Sequence, residues 1–291
     1  MKVLVTGAAG QLGHDVMIEL RKRGHEGIGV DISEMDITNY SDVERVLMAS
    51  KPDAVIHCAA WTAVDLAEEE NMRDQVRAVN CGGTKNIAAL CGKLGTKLLY
   101  LSTDYVFDGQ GERPWKPDDP RHPLNVYGQT KYEGELAVET YTDRYFIVRI
   151  AWVFGVNGKN FIKTMLGLAK KNDCVTVVND QIGTPTYTFD LARLLVDMIE
   201  TDKYGRYHAT NEGGYISWYE FACEIFRLAA ESGDPECSQV RVIPVSSAEF
   251  PAKAKRPQNS RMDKSKLVAN GFRPLPVWQD ALRRYLKELG Y

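Results

Sequence analysis

Tyr127-Gly-Gln-Thr-Lys131 can place a proton donor and its activator on one face of a helix, because positions four apart are neighbours on a helical surface. A free tyrosine hydroxyl titrates near ~10. An ammonium group beside it favours the phenolate and lowers that value. Such a tyrosine can hand a proton to a developing alkoxide at neutral pH. With 14 Tyr and 18 Lys in 291 residues, chance supplies about one such spacing, so its context must carry the argument. Upstream, Leu101-Ser102-Thr103-Asp104 leaves an apolar run, and a hydroxyl at that point can donate to a carbonyl oxygen. Thr103 read alone is equally a turn residue.

A second constellation concerns phosphate. Gly7-Ala-Ala-Gly10-Gln-Leu-Gly13 directly follows the apolar run Val3-Leu4-Val5 and opens an amphipathic segment. Glycines there permit a tight turn and close approach of backbone to a pyrophosphate resting on a helix N-terminus. The spacing is G-x2-G-x2-G, and a glycine turn without a ligand is the alternative. Asp31 ends the next apolar run, about twenty residues on, where a carboxylate binds ribose hydroxyls and repels a 2′-phosphate. No Arg or Lys follows in Ile32-Ser33-Glu34, which favours NADH over NADPH. Asp31 as a turn cap is the other reading. Asp36-Ile37 either flanks an adenine or caps the next helix. Asn80, inside a long helical stretch, either bonds a backbone break or faces solvent.

The elements that must position these groups follow from periodicity. Strands are expected at Val3–Val5, Gly27–Val30, Ala54–Ile56, Lys97–Leu101 and Tyr145–Arg149, alternating with helices over 11–23, 42–50, 71–94 and 126–139. Strands apolar on both faces, separated by helices, imply a parallel sheet covered on both sides. This predicts a doubly wound, Rossmann-like α/β fold with ligands at the carboxyl ends of the strands. The second half carries Gly/Pro punctuation and helices near 161–171, 189–200, 218–230 and 277–289. The expectation is a dinucleotide-binding domain over residues 1–152 and a smaller, mainly substrate-binding lobe over 153–291, with chain crossing back.

Composition excludes several classes. Hydrophobic residues at 44% and charged residues at 26% are those of a globular protein. A net charge of −3 gives no basis for nucleic acid or an anionic membrane as partner. No apolar run reaches the ~20 residues of a membrane span. The six cysteines are scattered without metal spacing, as buried thiols in a reducing compartment would be, and the expected location is the cytoplasm. The Glu68-Glu69-Glu70 run reads as a solvated helix start.

Taken in order, Gly7-x2-Gly10-x2-Gly13, Ser102-Thr103-Asp104 and Tyr127-x3-Lys131 resemble the extended short-chain dehydrogenase/reductases. Four further stretches resemble, within them, the dTDP-4-dehydrorhamnose reductases: Thr103-Asp104-Tyr105-Val106-Phe107, Ala151-Trp152-Val153-Phe154-Gly155, Asp180-Gln181-x-Gly183-x-Pro185-Thr186, and Arg256-Pro257 before Ser260. The resemblance runs nearly end to end. It implies reduction of the 4-keto group of a dTDP-sugar by NADH or NADPH. Tyr127 is then the proton donor, Lys131 its activator and a nicotinamide-ribose ligand, and Thr103 the carbonyl ligand. It further implies sugar contacts from Asp104 and Trp152, and cofactor contacts from Gly10-Gln11-Leu12, Asp31, Asp36-Ile37 and Ala60-Trp61-Thr62. The 180–186 stretch would line the mouth of the sugar pocket, and Arg256, in the basic run Lys253-x-Lys255-Arg256, would face the diphosphate. A homodimer joined through magnesium is also implied, with Asp15 and Asp190 as candidate ligands. Two rivals stand beside this reading. One is a 4,6-dehydratase or 4-epimerase, although Tyr105 follows Asp104 where dehydratases carry a Glu. The other is a non-catalytic regulatory subunit of the kind found with methionine adenosyltransferase.

Overall fold

The structure, a computed structural model, describes all residues 1–291. The first half alternates β1 (Lys2–Thr6), α1 (Gln11–Lys22), β2 (Glu26–Val30), α2 (Tyr40–Ser50), β3 (Ala54–His57), α3 (Arg73–Arg77), α4 (Thr84–Leu94), β4 (Lys97–Thr103), α5 (Val126–Tyr141) and β5 (Tyr145–Ile150). The second half contains β6 (Val153–Phe154), α6 (Phe161–Ala169), β7 (Cys174–Val178), β8 (Ile182–Gly183), β9 (Thr186–Tyr187), α7 (Thr188–Ile199) and β10 (Gly205–His208). It ends with β11 (Ile216–Ser217), α8 (Trp218–Glu231), α9 (Pro235–Gln239), β12 (Arg241–Val245), α10 (Ser265–Ala269) and α11 (Trp278–Glu288). No helix is long and apolar enough to cross a membrane.

One six-stranded sheet, ordered β10-β5-β4-β3-β1-β2 and parallel throughout, bears out the expected doubly wound fold. Alternate residues of each strand feed opposite faces, as the period of two requires. Val3, Val5, Ala54, Ile56, Leu99, Leu101, Phe146 and Val148 pack under α1 and α7. Leu4, Val55, Leu98, Tyr100 and Ile147 pack under α2, α4 and Val138 of α5. A third core holds the smaller lobe, where α6, α8 and α11 close over Phe154, Val175, Val177 and Tyr187. The order of strands reverses between β1 and β3, so the crevice at their carboxyl ends is the switch point where such sheets bind ligands.

Local chemistry sets the element ends. Asn39, Asn125 and Asn160 cap α2, α5 and α6 with their side-chain oxygens, and Ser217 and Glu220 form a reciprocal capping box on α8. The stretch expected as one helix over 71–94 is broken. A 3₁₀ turn, α3 and a π-helical turn over Ala78–Gly83 precede α4. Gly82-Gly83 loosens the chain there, and Ile37 occupies the space that a Cβ on Gly83 would fill. The edge strand β10 was not expected, because Gly-Arg-Tyr-His carries no apolar run. Arg206 on it reaches Glu139 of α5, and Tyr207 is buried.

Candidate active site

A cavity of about 880 Å³ opens along the carboxyl ends of the large sheet. Gly7, Gly10, Gln11, Leu12, Gly13, Asp31, Asp36, Ile37, Ala60 and Thr62 line it together with Thr103, Asp104, Tyr127, Lys131 and Trp152. Two expected residues do not. Trp61 turns its indole to the Ala63 carbonyl, and Arg256 lines a second cavity of about 620 Å³. Only Tyr105 and Trp218 border both cavities.

Gly7 sits at φ +65°, where its missing Cβ lets the Ala59 amide approach, and a Cβ on Gly13 would strike the Gly7 carbonyl. The turn therefore needs these glycines, and Gly10 leaves α1 without a side-chain cap. Uncapped amides at a helix N-terminus form a site for an anion. The Asp31 carboxylate accepts from the Ala9 amide at 2.7 Å, which holds it against the glycine turn inside the cavity. Asp36 accepts from the Thr38 amide and hydroxyl, so its side chain closes a turn. The Gln11 side-chain oxygen accepts from the Gly155 amide and from Asn160, leaving its backbone and side-chain Nε2 for a cofactor. These donors and clearances fit a dinucleotide.

Asn80 resolves as the ligand of a backbone break. It is buried in the π turn, accepts from the Trp61 amide at 2.8 Å, and donates to the Trp61 carbonyl and to Thr130. It thus fixes the Ala60–Thr62 segment to α5. His57, buried between Thr6 and Thr84, ties the ends of β1 and β3 to the start of α4. Burial holds this imidazole at about 3, so it stays neutral. Cys58 borders the cavity, but burial pushes its thiol up to about 12 and leaves it inert at neutral pH. Only Cys91 and Cys237 of the six cysteines are fully buried, and Cys174 is exposed, contrary to their expected burial.

The proton-handling groups converge from α5 and β4. A Cβ on Gly128 would lie 2.3 Å from the Tyr105 carbonyl, so only glycine lets the segment after β4 close on α5 beside Tyr127. The expected lowering of Tyr127 by Lys131 is not found. Burial pushes the phenol up to about 12, the Thr103 hydroxyl opposes the rise, and Asp104 adds to it. Lys131 instead donates to the Leu101 carbonyl at 2.7 Å and lies 4.2 Å from the Tyr100 ring centre. Burial lowers Lys131 to about 7, against an upward pull from Glu135.

The Thr103 hydroxyl is already engaged. Its single proton is donated to Asp104 at 2.9 Å, and its oxygen accepts from the Tyr105 amide. To bind a ketone oxygen it must turn that proton away from Asp104. Asp104 also accepts from Ser260, and burial without a cation raises its carboxyl to about 6.

Behind Lys131 lies a group that sequence reasoning missed. Glu135, one turn further along α5, accepts from Arg149 at 2.7 and 2.8 Å, from Arg121 at 2.9 Å and from Ser102 at 2.6 Å. The i, i+4 spacing from Lys131 was visible in the chain, but its partner Arg149 lay within an apparently apolar strand.

Other expected groups are placed differently. Arg256 grips Asp65 through both Nη atoms, at 3.1 and 2.6 Å, and Lys253 pairs with Glu69. The acidic run is therefore not merely solvated: Glu68 also accepts from the Val126 amide at the start of α5. In the 180–186 stretch Gln181 lines the second cavity, while Asp180 binds the Ser247 amide and hydroxyl. Asp15 and Asp190 are buried and taken, Asp15 by Thr188 and Asp190 by Asn211 and Arg284. No three His, Cys, Asp or Glu side chains of this chain cluster to hold a metal, and both carboxylates are engaged within it.

Comparison with known proteins places this geometry. A family model described as the RmlD substrate binding domain matches residues 1–291. A dTDP-4-dehydrorhamnose reductase from Aggregatibacter actinomycetemcomitans is 41% identical, over 97% of each chain. A crystal structure of a dTDP-4-dehydrorhamnose reductase from Clostridium acetobutylicum superposes with a TM-score of 0.94 at 41% identity, covering 100% of both chains. That of the Bacillus anthracis dTDP-4-dehydrorhamnose reductase in complex with NADP gives 0.92 at 42% identity, covering 99% of this chain and 100% of that one. This chain therefore belongs to the RmlD family, the dTDP-4-dehydrorhamnose reductase branch of the extended short-chain dehydrogenase/reductases.

Proposed function

We propose that this chain reduces the C4 ketone of dTDP-4-dehydro-L-rhamnose to dTDP-L-rhamnose, using NADH or NADPH. The observation that carries this reading is one cavity lined at once by the glycine turn, Asp31, Thr103, Tyr127 and Lys131. Relatives at this level of identity bear the name of that reaction, and the Bacillus anthracis protein holds NADP. Residues 1–152 serve the dinucleotide, and 153–291 mainly the sugar nucleotide. The site is cytoplasmic in this reading, in keeping with six cysteines that are all free.

In this reading the amides at Gly10–Gly13 hold the pyrophosphate and Asp31 the adenosine ribose. Asp36-Ile37 flanks the adenine, while Ala60, Thr62 and Lys131 border the nicotinamide half. A bound nicotinamide supplies a hydride, with its electron pair, to C4 of the sugar. The C4 oxygen then gains negative charge and takes the Tyr127 proton. A phenol near 12 is fully protonated at neutral pH and is still a stronger acid than the alcohol formed, so the proton passes to the sugar oxygen. The phenolate left behind is buried, and protonated Lys131 one turn away offsets its charge. Thr103 swings its proton from Asp104 to the same oxygen as charge develops. Asp104 and Trp152 position the sugar. Arg256 stands over the second cavity with Asp65, where the diphosphate and nucleoside extend.

The test is oxidation of NADH and of NADPH by the purified protein with dTDP-4-dehydro-L-rhamnose, with the product identified. Formation of dTDP-L-rhamnose in step with cofactor oxidation is expected. Absence of turnover with either cofactor overturns the reading.

A further inference from the structure

Trp152 is one of two non-glycine residues with positive φ, at +52°, a conformation that L side chains adopt rarely and at a cost in energy. It sits between β5 and β6, at the wall of the first cavity. A strained residue persists only where its surroundings over-determine it. Contacts from three residues do so here. The Thr186 amide donates to the Trp152 carbonyl at 3.1 Å, and the Thr186 hydroxyl donates to the Ala151 carbonyl at 2.6 Å. The indole crosses Gly183, where an added Cβ would lie 2.9 Å from Cε2. Trp218 stacks on the same indole, with ring centres 3.7 Å apart and planes inclined by 15°.

The two side contacts come from one local device. β8 and β11 pair antiparallel, with Ile216 opposite Gly183 and Ser217 opposite Ile182. Ser217 then caps α8, whose first residue is Trp218. The pairing thus sets Gly183 and Trp218 around the Trp152 ring. Trp218 also borders both cavities, a position it shares only with Tyr105.

We propose that Trp218 is a positioning residue for reduction: stacked on Trp152 across Gly183, it holds that indole in its left-handed pose and walls the junction between the sugar and nucleotide cavities. The proposal rests on the reductase reading for its substrate, but its geometric half stands apart from it. Without the stack, Trp152 relaxes toward ordinary backbone angles and its ring leaves the cavity wall. A sugar nucleotide spanning both cavities then loses a contact surface, while a dinucleotide at the glycine turn loses none.

Four proteins test this: wild type, Trp218→Ala, Trp218→Phe and Gly183→Ala. Each is crystallised without substrate and assayed with varied sugar nucleotide and varied cofactor. Trp218→Ala and Gly183→Ala should raise the KM for the sugar nucleotide about tenfold or lower kcat comparably. The KM for NADH or NADPH should stay within about twofold. Trp218→Phe, which keeps a stacking ring, should recover most of the loss. The crystal structures should show Trp152 out of the left-handed region in Trp218→Ala. A Trp218→Ala protein with Trp152 unmoved and the sugar KM and kcat of wild type overturns the proposal, as does a parallel rise in cofactor KM. If wild type does not turn over the substrate, the reductase reading fails, and the Trp152 conformation still decides the positioning claim.

Discussion

Glu135→Gln removes one charge from the buried group behind Lys131 and leaves its size nearly unchanged. Glu135 and Arg149 are both 0% exposed, and the carboxylate meets two guanidinium groups and the Ser102 hydroxyl. Burial alone would raise Glu135, but Arg149, with Ser102 and Arg121, more than reverses this and holds it at about 2. Removing one partner of such a pair strands the other, at a cost of about 3–5 kcal/mol. For a chain of this size that corresponds to a fall in thermal midpoint of roughly 5–8 °C. The pH dependence gives a second check. A carboxylate with a depressed folded-state value stabilises the protein above its unfolded value, and this is lost as pH falls from about 4.5 to about 2. The variant should lack that part of the acid transition. A third check reaches the site. Burial lowers Lys131 and Glu135 pulls it back up, so losing the charge moves the alkaline limb of kcat/KM to lower pH. Calorimetry across pH and a pH–rate profile measure all three. A midpoint within about 2 °C of wild type, with an unmoved alkaline limb, refutes the reasoning.

Four further outcomes follow from the same geometry. Tyr127→Phe should bind NADH or NADPH as wild type does, by fluorescence titration, and lose about 10²–10⁴ in kcat as a missing general acid does. In wild type, kcat/KM should fall as pH rises through about 7, where Lys131 loses the proton that offsets the Tyr127 phenolate; a profile flat to pH 9 contradicts this. Gly128→Ala drives a methyl toward the Tyr105 carbonyl, so kcat should fall by about tenfold or more while far-ultraviolet circular dichroism stays unchanged. Asp31→Ser removes the acceptor of the Ala9 amide and the charge that repels a 2′-phosphate, so the ratio of kcat/KM for NADPH over NADH should rise by about tenfold.

The parallel sheet was legible because its strands are apolar on both faces and separated by helical periods. The glycine turn, Asp31, Thr103, Tyr127 and Lys131 were legible because their chemistry depends on local spacing after a strand. What was not legible depends on contacts distant in sequence. Lys131 lies four residues from Tyr127, and spacing alone implied that it acts on the phenol directly. It donates instead to the Leu101 carbonyl, thirty positions away, and burial sets the direction of both shifts. Thr103 read as a ligand for a carbonyl oxygen; that its proton rests on Asp104, which Ser260 helps fix from far along the chain, was not legible. The grip of Arg256 on Asp65 was not legible, because nothing near it in sequence announced that partner. The break at Asn80 had a local signal in Gly82-Gly83, but helical periodicity on both sides concealed it.

The edge strand β10 lies beyond α6, β7 and α7 in the chain, yet it completes the first sheet beside β5. During synthesis β5 therefore emerges with one edge unpaired. At ~5–20 residues per second, translation from Ile150 to His208 takes on the order of 3–12 s. Until then the nascent sheet presents open amide and carbonyl groups on a strand of Phe-Ile-Val, the kind of edge that recruits other chains. The guanidinium of Arg149 lacks its His208 neighbour over the same interval. A chain ended near residue 200 should thus aggregate even though it holds the whole glycine turn and the Tyr127–Lys131 pair, and chaperone demand should peak just before His208 leaves the ribosome.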